Sequence, residues 1–195
     1  MVSRRIAWAI EDGRGTDTAD VTIDGDRLVA LGRATNEDPE LYELGYDVRT
    51  GSRFVTEELV VEVTRAGDVR RLRLTRSSTG AWDADLNGEP VPLPDLGAAL
   101  DCDLGRCPTT NSMPVLRERL LVRDEPVDFV MALVDVPALV VHRSRQRYEP
   151  IGTQSDRSRL IRFVSLDSEF RSELTFDADG LVIDYPQLAR RTRDT

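Results

Sequence analysis

The segment Thr175-Phe176-Asp177-Ala178-Asp179-Gly180-Leu181-Val182-Ile183 places an Asp-Gly pair between two apolar runs. An Asp-Gly pair readily adopts the positive φ angles of a tight hairpin turn, so this segment predicts two antiparallel strands joined by a short loop. The same kind of signal recurs at Asp24-Gly25 and at Asn87-Gly88, again between alternating runs. The sequence therefore predicts β-hairpins near its beginning, in its middle and near its end.

Alternation of apolar and polar residues extends the predicted sheet beyond these turns. In a strand, every second side chain lies on the same face, so an apolar face recurs with a period of two. Such faces are predicted at Tyr42, Leu44, Tyr46 and Val48, at Leu59, Val61 and Val63, at Leu72 and Leu74, and at Phe170, Ser172, Leu174 and Phe176. The apolar run from Val127 to Val134, bracketed by Pro126 and Pro137, also favours a strand, although a helix would accept it.

Length and pattern together predict one all-β domain. A chain of 195 residues fits a single barrel or sandwich core, and we expect one β-rich domain over residues 1–195. Helical signals are confined to residues 94–100 and 187–191, and residues 190–195 look like a disordered, solvated tail. The expected fold class is a mainly antiparallel curved sheet or half-open β-barrel with one or two short helices.

Charge and hydropathy narrow the range of partners. A formal net charge of -9 repels phosphate backbones, which argues against nucleic acid as a partner. The apolar stretch near the N-terminus is too short for a signal peptide, and no run approaches the roughly 18 apolar residues of a membrane span. We therefore expect a cytoplasmic protein without a membrane span, and its oligomeric state is left open.

The two cysteines and the single histidine give little support for metal or cofactor chemistry. Cys102 and Cys107 are expected to be free thiols in a reducing cytosol, and two sulfurs without a nearby histidine make a poor metal set. Ser144 lies two residues from His142, but no Gly-x-Ser-x-Gly elbow is present. The sequence predicts no cofactor, no metal and no catalytic residue.

The segment from Leu139 to Tyr148 divides into two unlike faces. Its odd positions carry Leu139, Val141, Arg143, Arg145 and Arg147, and its even positions carry Val140, His142, Ser144, Gln146 and Tyr148. If the arginine face is exposed, the inner face presents hydrogen-bonding groups, which is typical of a ligand pocket. The alternative interpretation is an edge strand with both faces partly exposed.

Two aspartates precede the longest predicted loop. Asp101 and Asp103 share a face if they lie on a strand, where paired carboxylates can bind a hard cation or share a proton. Solvated or helix-capping aspartates are the favoured alternative. The following residues to Arg117 include two prolines and a Thr-Thr-Asn-Ser stretch, which predicts a structured loop that carries a site. Its polar side chains can also simply satisfy their own turn backbone.

Several motifs of this chain resemble those of the putative glycolipid-binding protein family. They are Asp101-Cys102-Asp103-Leu104, then Pro108-Thr109-Thr110-Asn111-Ser112-Met113-Pro114 with Arg117, then Gln146-Arg147-Tyr148, and finally Asp179-Gly180-Leu181-Val182 with Tyr185-Pro186. With Trp8 at the start, the resemblance spans nearly the whole chain in the expected order. It implies an antiparallel β fold like a half-open barrel, similar to that of the carriers that shuttle bacterial lipoproteins.

The function predicted from these observations is non-catalytic binding of a small amphipathic molecule or glycolipid. We expect the curved sheet to enclose an apolar cavity with polar groups at its mouth. The predicted ligand-binding residues are Asp103, Thr110, Asn111, Arg117, His142, Gln146 and Tyr148. Two alternatives stay open: a hydrolase of a lipid or sugar ester that uses Asp103 and His142, and a module that binds an acidic partner through Arg143, Arg145 and Arg147.

Overall fold

The computed structural model describes residues 1–11, 14–37 and 41–194, with the backbone only at residues 193 and 194. Its strands pair in one sheet, in the order β8-β7-β6-β5-β4-β3-β2-β1-β15-β14-β13-β12-β11-β10-β9. The strands are β1 (Val2–Ile10), β2 (Gly15–Asp24), β3 (Arg27–Asn36), β4 (Tyr42–Thr50), β5 (Thr56–Arg65), β6 (Asp68–Arg76), β7 (Trp82–Leu86), β8 (Glu89–Pro90), β9 (Asp101–Leu104), β10 (Val127–Asp135), β11 (Val140–Thr153), β12 (Arg159–Ser165), β13 (Arg171–Phe176), β14 (Val182–Tyr185) and β15 (Ala189–Asp194). The predicted all-β, mainly antiparallel fold is confirmed.

The sheet consists of two up-and-down meanders that meet where β1 pairs with β15. Strand β9 is the exception, because it runs parallel to β10. A parallel neighbour requires a crossover, and the connection from β9 to β10 supplies it with a 3-10 helix at Pro108–Asn111 and helix α1 at Ser112–Arg117. The sheet curls far enough for the Thr56 amide of β5 to donate to the Leu100 carbonyl just before β9, at 2.9 Å. The result is an open, barrel-like sheet.

The hairpin turns lie where the sequence predicts them. Gly25 follows β2, Asn87 and Gly88 join β7 to β8, and Gly180 precedes β14, all with positive φ. The run from Val127 to Val134 forms β10, so the strand prediction is confirmed and the helical alternative is not adopted.

The predicted positions of the helices were wrong, and most of the predicted tail forms a strand. Residues 94–100 hold turns, with Gly97 at a positive φ, whereas the α-helix lies in the segment that we expected to be a loop. Residues 189–194 form β15, because the edge of β1 offers them a partner: Ala189 pairs with Ile10 and Asp194 with Ile6. The pattern of residues 187–191 alone does not reveal that distant edge. Thr195 lies outside the described residues.

The interior of the curved sheet is packed with side chains. Apolar residues of the inner faces of β1 to β6 form one cluster, and a second cluster surrounds Tyr148 and Phe163. Every residue from Cys107 to Val115 is buried, so the crossover segment runs inside the curve of the sheet rather than over its surface. No helix among the described residues is long and apolar enough to cross a membrane.

Candidate functional site

A cavity of about 290 Å³ remains between the crossover segment and strands β10 to β14, and we call it the inner cavity. One wall presents the polar side chains of Asp103, Asn111, Ser144 and Gln146, and Arg106, Ser165 and Ser168 also line the cavity. Its other wall is mainly aromatic and aliphatic, with Leu133, Phe163, Phe170, Tyr185 and Leu188. A few converging polar groups in a largely apolar concavity are typical of a small-ligand site.

Asp103 is fixed in the polar wall by two hydrogen bonds. The alternation of β9 places it on the inner face, where it pairs with Leu133 of β10. Gln146 Nε2 donates to Asp103 Oδ2 at 2.7 Å, and Thr110 Oγ1 donates to Asp103 Oδ1 at 3.1 Å. Burial raises the pKa of Asp103, and the two hydrogen bonds act in the opposite direction. Asp103 is therefore a preorganised acceptor, and Thr110 supports it from behind the wall.

Gln146 has an amide oxygen without a partner. The amide nitrogen faces Asp103 Oδ2 at 2.7 Å and also lies 3.2 Å from Ser144 Oγ. The residue is 1% exposed, and its Oε1 atom is buried without a hydrogen bond. An unsatisfied buried acceptor costs about 1–3 kcal/mol. The wall of the inner cavity thus contains an acceptor that lacks a donor.

Asn111 is held in the wall by Tyr148, which lies behind it. Asn111 Nδ2 donates to the Tyr148 hydroxyl at 2.9 Å. The Tyr148 ring is completely buried between Phe129 and Phe163, in edge-to-face contacts with centroid distances of 5.3 and 5.6 Å. Burial raises the pKa of Tyr148 well above its ordinary value, so its hydroxyl stays neutral. Tyr148 positions Asn111 and is not among the residues that line the cavity.

Arg117 lies in a buried ion pair away from the cavity lining. Its guanidinium contacts the Asp101 carboxylate and lies 5.5 Å from the centroid of the Phe129 ring. Burial raises the pKa of Asp101 despite this contact, whereas the carboxylate raises the pKa of Arg117. We regard the pair as ionised, because a guanidinium does not lose its proton in proteins and the contact is a charge-assisted hydrogen bond. The expectation of solvated or capping aspartates was wrong for Asp101, which is fully buried.

His142 is exposed and does not line the inner cavity. It pairs with Leu133 of β10, which in turn pairs with Asp103 of β9, so a whole strand separates the histidine from the aspartate. The structure therefore does not assemble the acid-base pair of the hydrolase hypothesis at this cavity.

The arginine face of β11 lies on the outside of the sheet, as the alternation indicates. Arg147 pairs with Asp128 at 2.6 Å, and Arg145 pairs with Asp167 at 2.7 Å. These neighbouring carboxylates compensate much of the positive charge that the partner-module hypothesis requires.

A second buried polar cluster was missed by the sequence reasoning. Asp17 of β2 is fully buried and accepts a hydrogen bond from the Tyr46 hydroxyl at 3.0 Å, and that hydroxyl also lies 3.0 Å from Thr109 Oγ1. Burial raises the pKa of Asp17 to about 7, although hydrogen bonds from Tyr46 and Cys107 oppose the shift. The cluster anchors the crossover segment to β2 and β4. The alternation of β2 could have revealed the cluster, because Asp17 lies on the same face of the strand as the buried residues Ala19 and Val21.

The inner cavity continues into an outer cavity of about 500 Å³. The two share Arg106, Phe170 and Leu188, and the outer cavity adds Ile10, Glu11, Asn36 and Gln187. Gln146 is thus buried within the inner cavity, whereas Arg106 and Phe170, which line both cavities, are exposed. Polar side chains therefore lie both in the inner cavity and at the opening, where Glu11, Asn36, Arg106 and Gln187 accompany the apolar residues.

Three of the seven predicted residues line the inner cavity, namely Asp103, Asn111 and Gln146. Thr110 and Tyr148 support them, Arg117 lies in a separate ion pair, and His142 lies outside. Across the described part of the chain, no group of three or more histidine, cysteine, aspartate or glutamate side chains is placed to hold a metal ion. The lining of the inner cavity offers hydrogen-bonding groups and apolar contact surface.

Comparisons with known proteins agree with this architecture. The family model described as "Putative glycolipid-binding" matches residues 5–191. The crystal structure of a DUF1089 family protein from Pseudomonas aeruginosa is similar, with a TM-score of 0.72 and 28% sequence identity over 90% of this chain and 92% of that chain. A β-barrel-like protein of the DUF1849 domain of unknown function from Brucella abortus shares the fold, with a TM-score of 0.57 and 9% identity over 100% of this chain and 98% of that chain. No curated protein gives a significant match.

Proposed function

This chain belongs to the family described as "Putative glycolipid-binding", and on that premise we propose that it binds a glycolipid, without catalysis, by taking the sugar head group into the inner cavity. The observation that carries the proposal is the buried, unpartnered Gln146 Oε1 in a wall that also presents the Asp103 carboxylate. A hydroxyl-rich head group supplies donors to both acceptors.

The remainder of the wall suits a sugar ring. Phe163 and Tyr185 present aromatic surface opposite the polar side chains, and Ser144 Oγ can donate to or accept from a hydroxyl. Rings of this kind pack against the apolar face of a ligand while polar groups fix its orientation. The inner cavity therefore combines both types of contact that an amphipathic head group needs.

Charge favours a neutral head group over an anionic one. The Asp103 carboxylate lines the polar wall of the inner cavity, whereas the Arg106 guanidinium lies in the part shared with the outer cavity, and two like charges in a poorly solvated site repel each other strongly. A phosphate in contact with Asp103 would meet that repulsion, whereas a sugar hydroxyl would donate a hydrogen bond. We therefore expect a neutral sugar to bind more tightly than an anionic group of similar size.

Volume favours a ligand that enters only in part. The inner cavity, at about 290 Å³, lies at the lower limit of the roughly 300–1,000 Å³ typical of small-ligand sites. It can hold a head group but not the chains of a whole lipid. The apolar part of the ligand would then lie in the outer cavity along Ile10, Phe170 and Leu188.

Isothermal titration with octyl glucoside below its micelle concentration tests the proposal, with octyl phosphate as the anionic comparison. We expect the wild-type protein to bind the glucoside more tightly than the phosphate. Gln146→Met should weaken glucoside binding about tenfold, the equivalent of one hydrogen bond of about 1.4 kcal/mol. Near-ultraviolet circular dichroism establishes that this variant keeps its fold.

The matched control is His142→Ala, which changes the residue next to Ser144 on the same face of β11 but lies outside the cavity. It should bind octyl glucoside as the wild type does. Absence of glucoside binding by the wild type, or equal losses in both variants, would count against the inner cavity as the binding site.

A further inference from the structure

Asp103 presents a carboxylate to the inner cavity, and that carboxylate has no cationic partner within the described part of the chain. Its two side-chain hydrogen bonds come from neutral groups, the Gln146 amide at 2.7 Å and the Thr110 hydroxyl at 3.1 Å. Arg106, the only cation among the described residues that line the inner cavity, is exposed toward the outer cavity and forms no ion pair with Asp103. Carboxylates that lie away from water are ordinarily paired, because an isolated charge is costly to desolvate. Asp103 thus lacks the cation that its position favours.

Asp101, two residues earlier on β9, has such a cation. Its carboxylate contacts the Arg117 guanidinium, which also lies 3.1 Å from Glu118. The positive charge of Arg117 is therefore already shared by two carboxylates. Among the described residues, Asp17 has no arginine partner either, but it does not line the inner cavity. Of these three aspartates, only Asp103 both lacks a cation and faces an open volume.

Gln146 Oε1 lies close enough to Asp103 for one ligand group to reach both. The oxygen and nitrogen of an amide are about 2.3 Å apart, and Gln146 Nε2 lies 2.7 Å from Asp103 Oδ2. Adding the two distances places Oε1 within about 5 Å of that carboxylate oxygen. A hydroxyl has one proton and donates to only one of these acceptors, whereas a primary ammonium has three protons. The pair of acceptors therefore fits an ammonium group better than a hydroxyl.

The rest of the inner cavity adds a negative field and contacts for a sugar ring. Burial raises the pKa of Tyr185, and the charge of Asp103 raises it further, so the field of that carboxylate extends to the aromatic wall. Phe163 lies in the same wall and offers an apolar surface to a ring. Ser165 and Ser168 also line the cavity, and their hydroxyls can donate to or accept from the hydroxyls of a sugar. The field favours a positive charge, and the lining suits a sugar that carries it.

We infer that the head group is an amino sugar whose ammonium group donates to both Asp103 and Gln146 Oε1. This inference rests on the proposed function and adds the chemical class of the head group. An ammonium and a hydroxyl are similar in size, so the volume of the cavity admits either one. The preference comes from charge and from the number of donors, since a hydrogen bond between a cation and a carboxylate is about twice as strong as one between neutral groups.

Isothermal titration of the full chain with octyl glycosides below their micelle concentrations tests the inference, at a pH at which the amine is protonated. The ligands are octyl glucosaminide, octyl N-acetylglucosaminide and octyl glucoside. We expect the glucosaminide to bind at least about tenfold more tightly than the glucoside. The N-acetyl derivative, which carries no charge, should bind no more tightly than the glucoside. Octylamine, which supplies an ammonium group without a sugar, should bind more weakly than the glucosaminide.

Asp103→Asn removes the charge with little change in shape, so this variant should bind the glucosaminide no more tightly than the glucoside. The matched control is Asp128→Asn, which makes the same change on the outside of β10, where Asp128 pairs with Arg147. It should keep the preference of the wild type for the glucosaminide. Near-ultraviolet circular dichroism establishes that both variants keep their fold.

The outcomes separate this inference from the proposed function. Equal affinities of the wild type for the glucosaminide and the glucoside, or a preference that survives in Asp103→Asn, overturn the amino sugar and leave the proposed function standing. Octylamine that binds as tightly as the glucosaminide also overturns it, because the sugar then contributes nothing. A wild type that binds none of the three glycosides refutes the proposed function, and this inference with it.

Discussion

Replacing Asp17 by asparagine isolates the effect of one buried carboxyl on the pH dependence of stability. Asp17 is fully buried on β2 and accepts a hydrogen bond from Tyr46. Its pKa rises from 3.8 to about 7, chiefly because burial disfavours the charged form. Asparagine keeps the shape and an acceptor oxygen but does not titrate, so the variant removes the proton equilibrium with little change in packing.

The sign and size of the effect follow from that shift. A carboxyl whose pKa is higher in the folded chain favours folding at low pH, and this contribution is lost as the pH rises from the unfolded to the folded pKa, here from about 4 to about 7. When the pH is raised from about 5.5 to about 8, this contribution is lost over the interval from about pH 5.5 to the folded pKa of about 7. That interval of about 1.5 pH units corresponds to about 2 kcal/mol of unfolding free energy. The unfolding free energy of the wild type should therefore fall by about 2 kcal/mol more than that of Asp17→Asn over this interval.

Urea unfolding followed by the fluorescence of the buried Trp8 measures this difference. Other buried carboxyls with raised pKa values, such as Asp101 and Asp103, contribute equally to both proteins and cancel in the comparison. Asp20→Asn is the reference variant: its exposed carboxylate on the same strand pairs with Arg5, which lowers its pKa and reverses the sign of its contribution. If Asp17→Asn and the wild type lose the same free energy between the two pH values, Asp17 is ionised in the folded protein and the reasoning fails.

Two further predictions concern packing inside the sheet. A Cβ atom on Gly32 would lie 1.9 Å from a ring carbon of Tyr46, so Gly32→Ala should lower the unfolding free energy by about 1–3 kcal/mol. Gly45→Ala, where a Cβ meets nothing within 4 Å, should be neutral or slightly stabilising in the same urea experiment, and equal losses would disprove the close approach. Arg117→Met leaves the Asp101 carboxylate buried without its cation and should cost about 3–5 kcal/mol, part of which Asp101→Asn should restore in the double variant. A cost for Arg117→Met alone no larger than that of a surface substitution would contradict the buried ion pair.

Much of the sheet could be predicted because its signals are local. Positive φ at Gly180 and at Asn87-Gly88 depends on the turn residues themselves, and the alternation along β4, β5 and β6 reports which side chains face inward. Strand β15 was not predicted, because its formation depends on the edge of β1, some 180 residues earlier in the chain. Pairing of the two ends of a chain leaves no signature in either segment alone.

The site could be predicted only as a set of candidates on one face. Gln146 and Tyr148 share the inner face of β11, yet Gln146 lines the inner cavity and Tyr148 is enclosed by Phe129 and Phe163. His142 lies on the same face of β11 as Gln146 and Tyr148 but is exposed, because it lies near the start of the strand. Alternation along a strand assigns each side chain to one face of the sheet. Whether that side chain contacts a cavity depends on which other strands and segments cover that face.

The sequence by itself determined the all-β class, the positions of the hairpins and the two faces of β11, and it predicted a candidate site in the segment that contains Asp103 and Asn111. Only the tertiary structure decided that this segment runs inside the curved sheet and leaves a small cavity in which the polar side chains of Asp103, Asn111 and Gln146 lie opposite an aromatic and aliphatic wall. The physical reason is that a filled and a hollow sheet have the same period-two alternation. The difference lies in how far the sheet curls and in what it encloses, and both depend on contacts between residues that are distant in the chain.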